Sequence, residues 1–228
     1  MMQAAYKLLF LTAADNIKRE KLTMRKIILC FLFGFGLLTC LFAQGSPTAL
    51  NLIDLLKSGQ VSLTATGNGS SSGLAINGVL RNLTASQLVV NVFIDQGLYL
   101  VNSGKGQNML VTQVYIKNGM YSYDGVQSFI VLPPQSNIEI SFLAFCANLD
   151  RENPSSKESL SPGDIPTDIS SMAAKINKYI KENPAETTNV VVAQIALWRS
   201  QGHSSNEILE YFKFTQTDLN NAHQLLNY

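Results

Sequence analysis

The apolar residues of this chain change their spacing along its length. Between residues 61 and 146 they come in short runs rich in Val, Ile, Leu, Phe and Tyr, and Gly, Asn, Asp, Ser and Pro separate these runs. Such runs are typical of strands joined by turns. Beyond residue 167 the apolar residues recur every three or four positions, as they do on one face of a helix. The pattern therefore predicts an α+β protein in which a β domain precedes a helical part.

The β-rich region has the strand spacing of an antiparallel sandwich. We expect an Ig-like β-sandwich over residues 44–149, with a short helical stripe at 50–57 packing on it. Asn118-Gly119 is the best candidate for a tight hairpin. The predicted strands span 61–66, 74–82, 88–94, 98–101, 109–117, 128–132 and 138–146.

The second half of the chain predicts a loop and then helices. Residues 150–166 are polar and contain three prolines, so a linker loop is expected there. Residues 167–228 are expected to form the C-terminal helical part. Apolar spacing, prolines and capping-box sequences predict helices over 168–182, 184–201 and 208–214, and a last one after Thr215.

The N-terminal segment has the layout of a secretory signal peptide over residues 24–43. Two basic residues follow Met24, a largely apolar stretch runs from 27 to 43, and a polar turn-like segment comes next. The apolar stretch is short for a membrane span, so we expect cleavage after Ala43 and secretion to the cell envelope or surface. An uncleaved anchor is the alternative, and lipidation of Cys40 is less favoured. Residues 1–23 precede this complete signal and are interpreted as an over-extended start.

Composition and charge exclude several classes of function. With 46% hydrophobic residues the chain can bury a core for one domain and a helical appendage. The formal charge is +1, but residues 44–228 hold eleven Lys/Arg against fourteen Asp/Glu, so a nucleic-acid partner is not expected. The two histidines, His203 and His223, lack metal-site spacing, so neither a metal nor another cofactor is expected.

Cys146 is the one cysteine left if the signal is removed, so no disulfide framework can form. It shares strand parity with the apolar residues Ile138, Ile140, Phe142 and Ala144, which places its side chain on an apolar face. The commonest role of such a residue is that of a small buried hydrophobe. A lone thiol in an oxidising compartment nevertheless needs protection from oxidation.

Gln194 lies in the middle of an apolar helical stripe that includes Val190, Val191, Leu197 and Trp198. Burying a carboxamide without hydrogen-bond partners costs on the order of 1–3 kcal/mol. Gln194 is therefore expected to have a specific partner. A neighbouring backbone group would be the simplest one.

Two short motifs resemble those of a known family. Phe145-Cys146-Ala147-Asn148 resembles the aromatic-Cys-apolar-Asp/Asn motif of the thioester domains found in bacterial surface adhesins. Residues 193–198, Ala-Gln-Ile-Ala-Leu-Trp, resemble that family's Thr-Gln-x-Ala-apolar-Trp motif, with Ala193 in place of Thr. The resemblance implies that Cys146 and Gln194 condense to an internal thioester with loss of ammonia. It also implies that a lysine amine of a protein surface attacks this thioester, while Phe145 and Trp198 exclude water.

These observations predict an exported, non-enzymatic binding module of the surface or envelope. Its expected partner is a protein surface, and a thioester-type adhesin is its most specific form. The alternative is a structural envelope or assembly protein with an Ig-like domain and no covalent chemistry. A hydrolase is disfavoured because neither histidine has a suitable nucleophile or acid nearby in the sequence. Membrane contact is expected only through an uncleaved signal segment.

Overall fold

Strands dominate the first half of the structure and helices the second. The structure is a computed structural model that describes residues 49–117, 129–184 and 189–228. The predicted start (1–23), the predicted signal peptide (24–43) and the predicted hairpin at Asn118-Gly119 lie outside the described residues. In chain order the elements are α1 (Leu52–Lys57), β1 (Val61–Gly67), β2 (Ser72–Asn82), β3 (Leu88–Asn91), β4 (Phe93–Asn102), β5 (Met109–Ile116), β6 (Phe129–Leu132), β7 (Asn137–Cys146), β8 (Ser159–Gly163), α2 (Met172–Glu182), α3 (Asn189–Ser200), α4 (Ser205–Tyr211) and α5 (Gln216–Leu226).

Six of these strands form a closed barrel in the order β1-β2-β7-β5-β4-β8. Every neighbouring pair is antiparallel. The short strand β8 closes the barrel because it pairs with β4, as in Leu100↔Pro162, and with β1, as in Ala65↔Leu160. The two remaining strands, β3 and β6, pair with each other in a separate small sheet.

The predicted Ig-like β-sandwich is therefore wrong, although the protein is α+β. The decisive element is β8, which lies inside the stretch 150–166 that the sequence predicts as a linker loop. Its residues are Ser-Leu-Ser-Pro-Gly, of which only Leu160 is buried, so the segment carries no alternation that would predict a strand. It becomes a strand because β1 and β4 would otherwise leave backbone N–H and C=O groups unpaired along their edges.

The apolar run 88–94, predicted as one strand, contributes to both sheets. β3 ends at Asn91 and pairs with β6, whereas β4 begins at Phe93 and joins the barrel. The Asn91 side chain accepts a hydrogen bond from the Phe93 N–H at 2.9 Å, which fixes the turn between the two strands. Because Asn91 is the single polar residue in this apolar run, the sequence alone does not show that the chain leaves one sheet for the other there.

The helices α1, α4 and α5 begin at side-chain caps that are visible in the sequence. The Asn51 side chain accepts from the Ile53 N–H at the start of α1. Capping boxes formed by Ser204 with Glu207 and by Thr215 with Asp218 open α4 and α5. In a capping box the side chains of the cap and of the third helical residue satisfy N–H groups that the first turn leaves free. α4 therefore begins before the predicted position 208, because the box residues themselves form its first turn.

Helix α3 is the most buried helix of the described residues. It contacts β2 and β7 of the barrel and also α5, and every residue from Val192 to Trp198 is buried. α2 packs against β4 and β5 and also contacts α3 and α5. α3 therefore brings its polar side chains into a water-excluded layer beside the end of β7. Among the described residues, no helix combines the length and the apolar character needed to cross a membrane.

Candidate functional site

Cys146 is the last residue of β7 and has no exposed surface. In the barrel β7 lies between β2 and β5, and Cys146 is paired with Met109 of β5. The neighbouring residues Leu143 and Phe145 are buried as well, so both faces of this strand end are covered. The cysteine therefore lies in the interior, as its strand parity predicts.

The Gln194 side chain of α3 hydrogen-bonds the backbone of Cys146 in both directions. The Cys146 N–H donates to Gln194 Oε1 at 2.8 Å, and Gln194 Nε2 donates to the Cys146 carbonyl oxygen at 2.8 Å. Only one orientation of the carboxamide satisfies both bonds, because its oxygen must face the N–H and its nitrogen the carbonyl. The two residues of the predicted thioester are thus in direct contact, although one lies on a strand and the other on a helix.

The Cys146 sulfur lies in an apolar environment. Its Sγ is 3.7 Å from Met109 Sδ, close enough for a weak S–H hydrogen bond. Burial raises the pKa of the Cys146 thiol far above its usual range, because a thiolate here would lose its hydration. The group is therefore protonated at neutral pH, and it is a poor target for solution oxidants, which react with exposed thiolates.

The two aromatic residues of the motifs are also in the interior. Phe145 precedes Cys146 and has no exposed surface, and Trp198 follows Gln194 by one helical turn with 2% of its surface exposed. The Trp198 ring meets Phe212, beyond the end of α4, in an edge-to-face contact with centroids 5.6 Å apart. Both rings therefore belong to the buried core that surrounds the end of β7 and α3.

The segment after Cys146 is held by the residues that precede β5. The Ala147 N–H donates to the Asn108 carbonyl oxygen at 2.9 Å, and the Asn108 N–H donates to Asn148 Oδ1 at 3.0 Å. The Asn148 N–H in turn donates to Gln107 Oε1 at 3.3 Å. Asn148, the last residue of the first motif, therefore fixes the course of the chain directly beyond Cys146.

The loop between β1 and β2 forms another boundary of the site. The Cys146 N–H is shared, since it also donates to the Ser71 carbonyl oxygen at 3.1 Å. Ser71 is half-buried and its neighbour Ser70 is exposed, so this loop lies between the cysteine and solvent. Gly69 and Gly73 flank the serines with φ of +92° and +84°, a conformation that glycine adopts without strain.

Gln201, just beyond α3, belongs to the site and was not singled out by the sequence. Its Nε2 donates to the carbonyl oxygen of Ala147 at 2.9 Å. The signal that could have revealed it is its spacing, because it follows Gln194 by seven positions and therefore lies two turns further along nearly the same helix face. Met109 and Ser71 were also missed, because their proximity to Cys146 depends on strand pairing.

The other residues considered from the sequence lie apart from any such arrangement. His203 follows α3, His223 is exposed on α5, and the acidic residues Asp150 and Glu152 are exposed. Within the described part of the chain no group of three or more His, Cys, Asp or Glu side chains is arranged to hold a metal ion. The contact between Cys146 and Gln194 is thus the arrangement with the most specific chemistry.

Comparison with known proteins adds no relative. No protein-family model, no curated protein and no solved structure matches the chain. The functional assignment below therefore depends on the geometry of the site and on the two motifs.

Proposed function

We propose that this chain is a non-enzymatic binding module of the cell surface or envelope that attaches covalently to protein amines through a Cys146–Gln194 thioester. The observation that carries the proposal is the paired hydrogen bonding between the Gln194 carboxamide and the Cys146 backbone. These two bonds hold the amide carbon, Cδ, beside the residue that bears the thiol. Such pre-orientation is what an intramolecular condensation needs, since holding two groups in place supplies much of the barrier reduction.

The atoms and electrons of thioester formation balance without an oxidant or a cofactor. Cys146 Sγ attacks Gln194 Cδ, the new S–C bond forms, and the C–N bond to Nε2 breaks. The thiol hydrogen leaves with the amide nitrogen, so the by-product is one molecule of ammonia. Because burial keeps the Cys146 thiol protonated, the hydrogen needed by the leaving group is present on the attacking residue itself.

The Cys146 N–H has a second role in this reaction. Attack on Cδ develops negative charge on Oε1, and the N–H already lies 2.8 Å from that oxygen. A donor held at this distance in a water-excluded site stabilises the tetrahedral intermediate, as backbone amides do in acyl-transfer enzymes. The same donor would polarise the carbonyl of the finished thioester towards an incoming amine.

The second step attaches the partner. A lysine amine attacks the thioester carbonyl, the bond to Sγ breaks, and an amide forms between the lysine and the Gln194 side chain while Cys146 regains its hydrogen. Burial of Cys146 and Gln194 supports a stored thioester, because water is excluded from it. The β1–β2 loop adjoins the site through Ser71, which is half-buried, and reaches solvent at Ser70, so we infer that the amine enters where this loop opens.

Intact-mass spectrometry of the purified chain tests the proposal directly. The expected mass is lower than the sequence mass by one ammonia, and incubation with methylamine adds one methylamine to it. Cys146→Ala and Gln194→Met should both show the full mass expected from their sequences and should not react. A wild-type chain that has its full sequence mass and takes up no methylamine would refute the thioester.

The alternative is a structural envelope or assembly protein without covalent chemistry. It is supported by the completeness of the Gln194 hydrogen bonds, because a carboxamide that joins α3 to the end of β7 already stabilises the fold. A full intact mass, together with a large loss of stability in Gln194→Met, is the result expected from this alternative. The ammonia loss distinguishes the two functions, because only the thioester produces it.

A further inference from the structure

Gln194 of α3 and Gln201, just beyond the end of that helix, bind consecutive peptide groups at the end of β7. Gln194 Nε2 donates to the carbonyl oxygen of Cys146, and Gln201 Nε2 donates to the carbonyl oxygen of Ala147 at 2.9 Å. The Ala147 N–H is also bound, to the Asn108 carbonyl oxygen. Ala147 is therefore fixed between the chain that precedes β5 and the end of α3.

Thioester formation affects the two glutamine bonds differently. The ammonia that leaves contains Nε2 of Gln194, so the bond from this atom to the Cys146 carbonyl oxygen disappears with it. The bond from Gln201 to Ala147 does not involve a reacting atom and can persist. It is then a direct side-chain link between α3 and the residue that follows the cysteine.

The carboxamide oxygen of Gln201, Oε1, indicates that a contribution to stability does not by itself explain this residue. Its Oε1 is buried and has no hydrogen-bond partner among the described residues. An unsatisfied buried acceptor is unfavourable. An apolar side chain of the same length would remove the penalty of the unpaired Oε1 and would lose the hydrogen bond from Nε2 to Ala147. Gln201 thus gives little net stabilisation, but it places a donor at the Ala147 carbonyl oxygen.

We propose that Gln201 is a positioning residue for the thioester, and this inference rests on the function proposed above. By holding the Ala147 carbonyl oxygen, it keeps the end of β7 against α3 while the Gln194 amide loses its nitrogen. This restraint limits the movement of the Cys146 backbone relative to the Gln194 carboxamide until the S–C bond has formed. Without the donor, the end of β7 loses one of its side-chain links to the end of α3, so the two reacting groups are less restrained before the S–C bond forms.

The test compares ammonia loss with stability in Gln201→Met and Gln201→Glu. Both variants keep the length of the side chain; Met removes the donor at any pH, and Glu removes it when the carboxyl is ionised. We expect the melting temperature of Gln201→Met to be close to that of the wild type. Its thioester formation should be slower by on the order of tenfold or more, because a small misplacement of reacting groups has a large effect on rate. Intact mass over time after purification measures the rate, and methylamine uptake measures the reactive fraction.

Ser200→Ala is the matched control. Ser200 is the adjacent residue at the end of α3, and its hydroxyl donates within the helix to the Leu197 carbonyl oxygen at 2.7 Å. This variant should form the thioester at the wild-type rate, because its lost bond does not reach the strand.

Three results would overturn the inference, and they are distinguishable. Ammonia loss at the wild-type rate in Gln201→Met would refute the positioning role and leave the thioester intact. An equal loss of rate in Ser200→Ala would show a general effect of the helix end and would also refute it. Absence of ammonia loss from the wild-type chain would refute the proposed function and this inference together.

Discussion

The carboxamide of Gln194 forms hydrogen bonds with both the N–H and the carbonyl oxygen of Cys146, two residues on different elements of the fold. These two hydrogen bonds join α3 to the end of β7, as the backbone hydrogen bonds of a neighbouring strand would. They also hold the Gln194 carboxamide against the backbone of the residue that bears the thiol. The same contact therefore contributes to stability and, in the proposed function, orients the amide for condensation; substitutions can separate these two contributions.

Replacement of Gln194 should give stability changes that depend on the charge introduced. Gln194→Met leaves the Cys146 carbonyl oxygen without its partner, and we expect a loss of about 1–3 kcal/mol in the free energy of unfolding. Gln194→Glu places a carboxyl against that carbonyl oxygen, so only the protonated form can donate to it, and the pKa of the introduced group should be raised.

The sign of the pH dependence follows from that raised pKa. The stability of Gln194→Glu should be greatest at acid pH and should decrease as pH rises, by about 3 kcal/mol or more once the buried group is charged. Urea unfolding between pH 4 and pH 8 measures this decrease in the free energy of unfolding, with Gln194→Met as the neutral control. Parallel pH profiles for the two variants would contradict the buried contact.

The raised pKa of Cys146 predicts an alkaline loss of stability in any chain with a free thiol. Burial raises this pKa, so the folded state retains a proton that the unfolded state gives up. The contribution is fully present below the ordinary thiol pKa of about 8.5 and is lost as pH rises above it. Gln194→Met, which cannot form a thioester, should therefore lose stability above this pH faster than the double variant Gln194→Met/Cys146→Ala.

The wild-type chain provides the contrast in the same experiment. If its sulfur is acylated it has no thiol to titrate, and its profile should lack the alkaline decrease. Denaturant midpoints between pH 7 and pH 10 measure all three chains. A wild-type profile that follows Gln194→Met would be the profile of a free thiol.

Glu158 should make the loop between β4 and β5 sensitive to acid. Its carboxylate accepts hydrogen bonds from the Asn102 side chain at 3.2 Å and from the N–H groups of Lys105 and Gly106. The Asn102 hydrogen bond and then these backbone bonds lower the pKa of Glu158. Its stabilising contribution is thus present above the ordinary glutamate pKa of about 4.3 and is lost as pH falls through the lowered value.

Glu158→Gln tests this contribution without adding charge. The variant should melt below the wild type at pH 7, and the difference should shrink at pH 3, where the wild-type carboxyl becomes protonated. Glu210→Gln, at an exposed position on α4, is the control and should change the melting temperature little at either pH. A difference for Glu158→Gln that is the same at both pH values would show that the charge is unimportant.

Gly67, at the end of β1, should tolerate no side chain. A Cβ at this position would lie 2.1 Å from the carbonyl oxygen of Pro154, a backbone atom that cannot rotate away. We expect Gly67→Ala to cost about 3 kcal/mol, because the segment that leads into β8 must shift. Thermal unfolding monitored by circular dichroism measures the loss.

Gly59→Ala is the matched control for that substitution. Gly59 has a φ of +68°, and a Cβ there meets no atom within 4 Å, so only the backbone conformation opposes the change. Its expected cost is about 1 kcal/mol. Equal effects of the two substitutions would mean that the contact between Gly67 and Pro154 does not constrain the barrel.

The elements that the sequence predicts well are those that depend on local interactions. Most strands of the barrel lie where short apolar runs lie between turn residues, and the four C-terminal helices follow the apolar spacing and the capping sequences. The capping boxes at Ser204 and Thr215 need only residues three positions apart, so they are visible without a structure. Cys146 and Gln194 were also recognisable, one from its rarity and the other from its place in an apolar stripe.

Tertiary structure alone decided how these elements combine. The strand β8 exists because β1 and β4 come close enough to need a partner, a long-range condition that the residues Ser-Leu-Ser-Pro-Gly do not encode. Likewise, the contact of Gln201 with Ala147 depends on the end of β7 meeting the end of α3. Local periodicity and capping determine where strands and helices form, whereas barrel closure and the pairing of Cys146 with Gln194 arise from backbone groups that find partners only after the chain has folded.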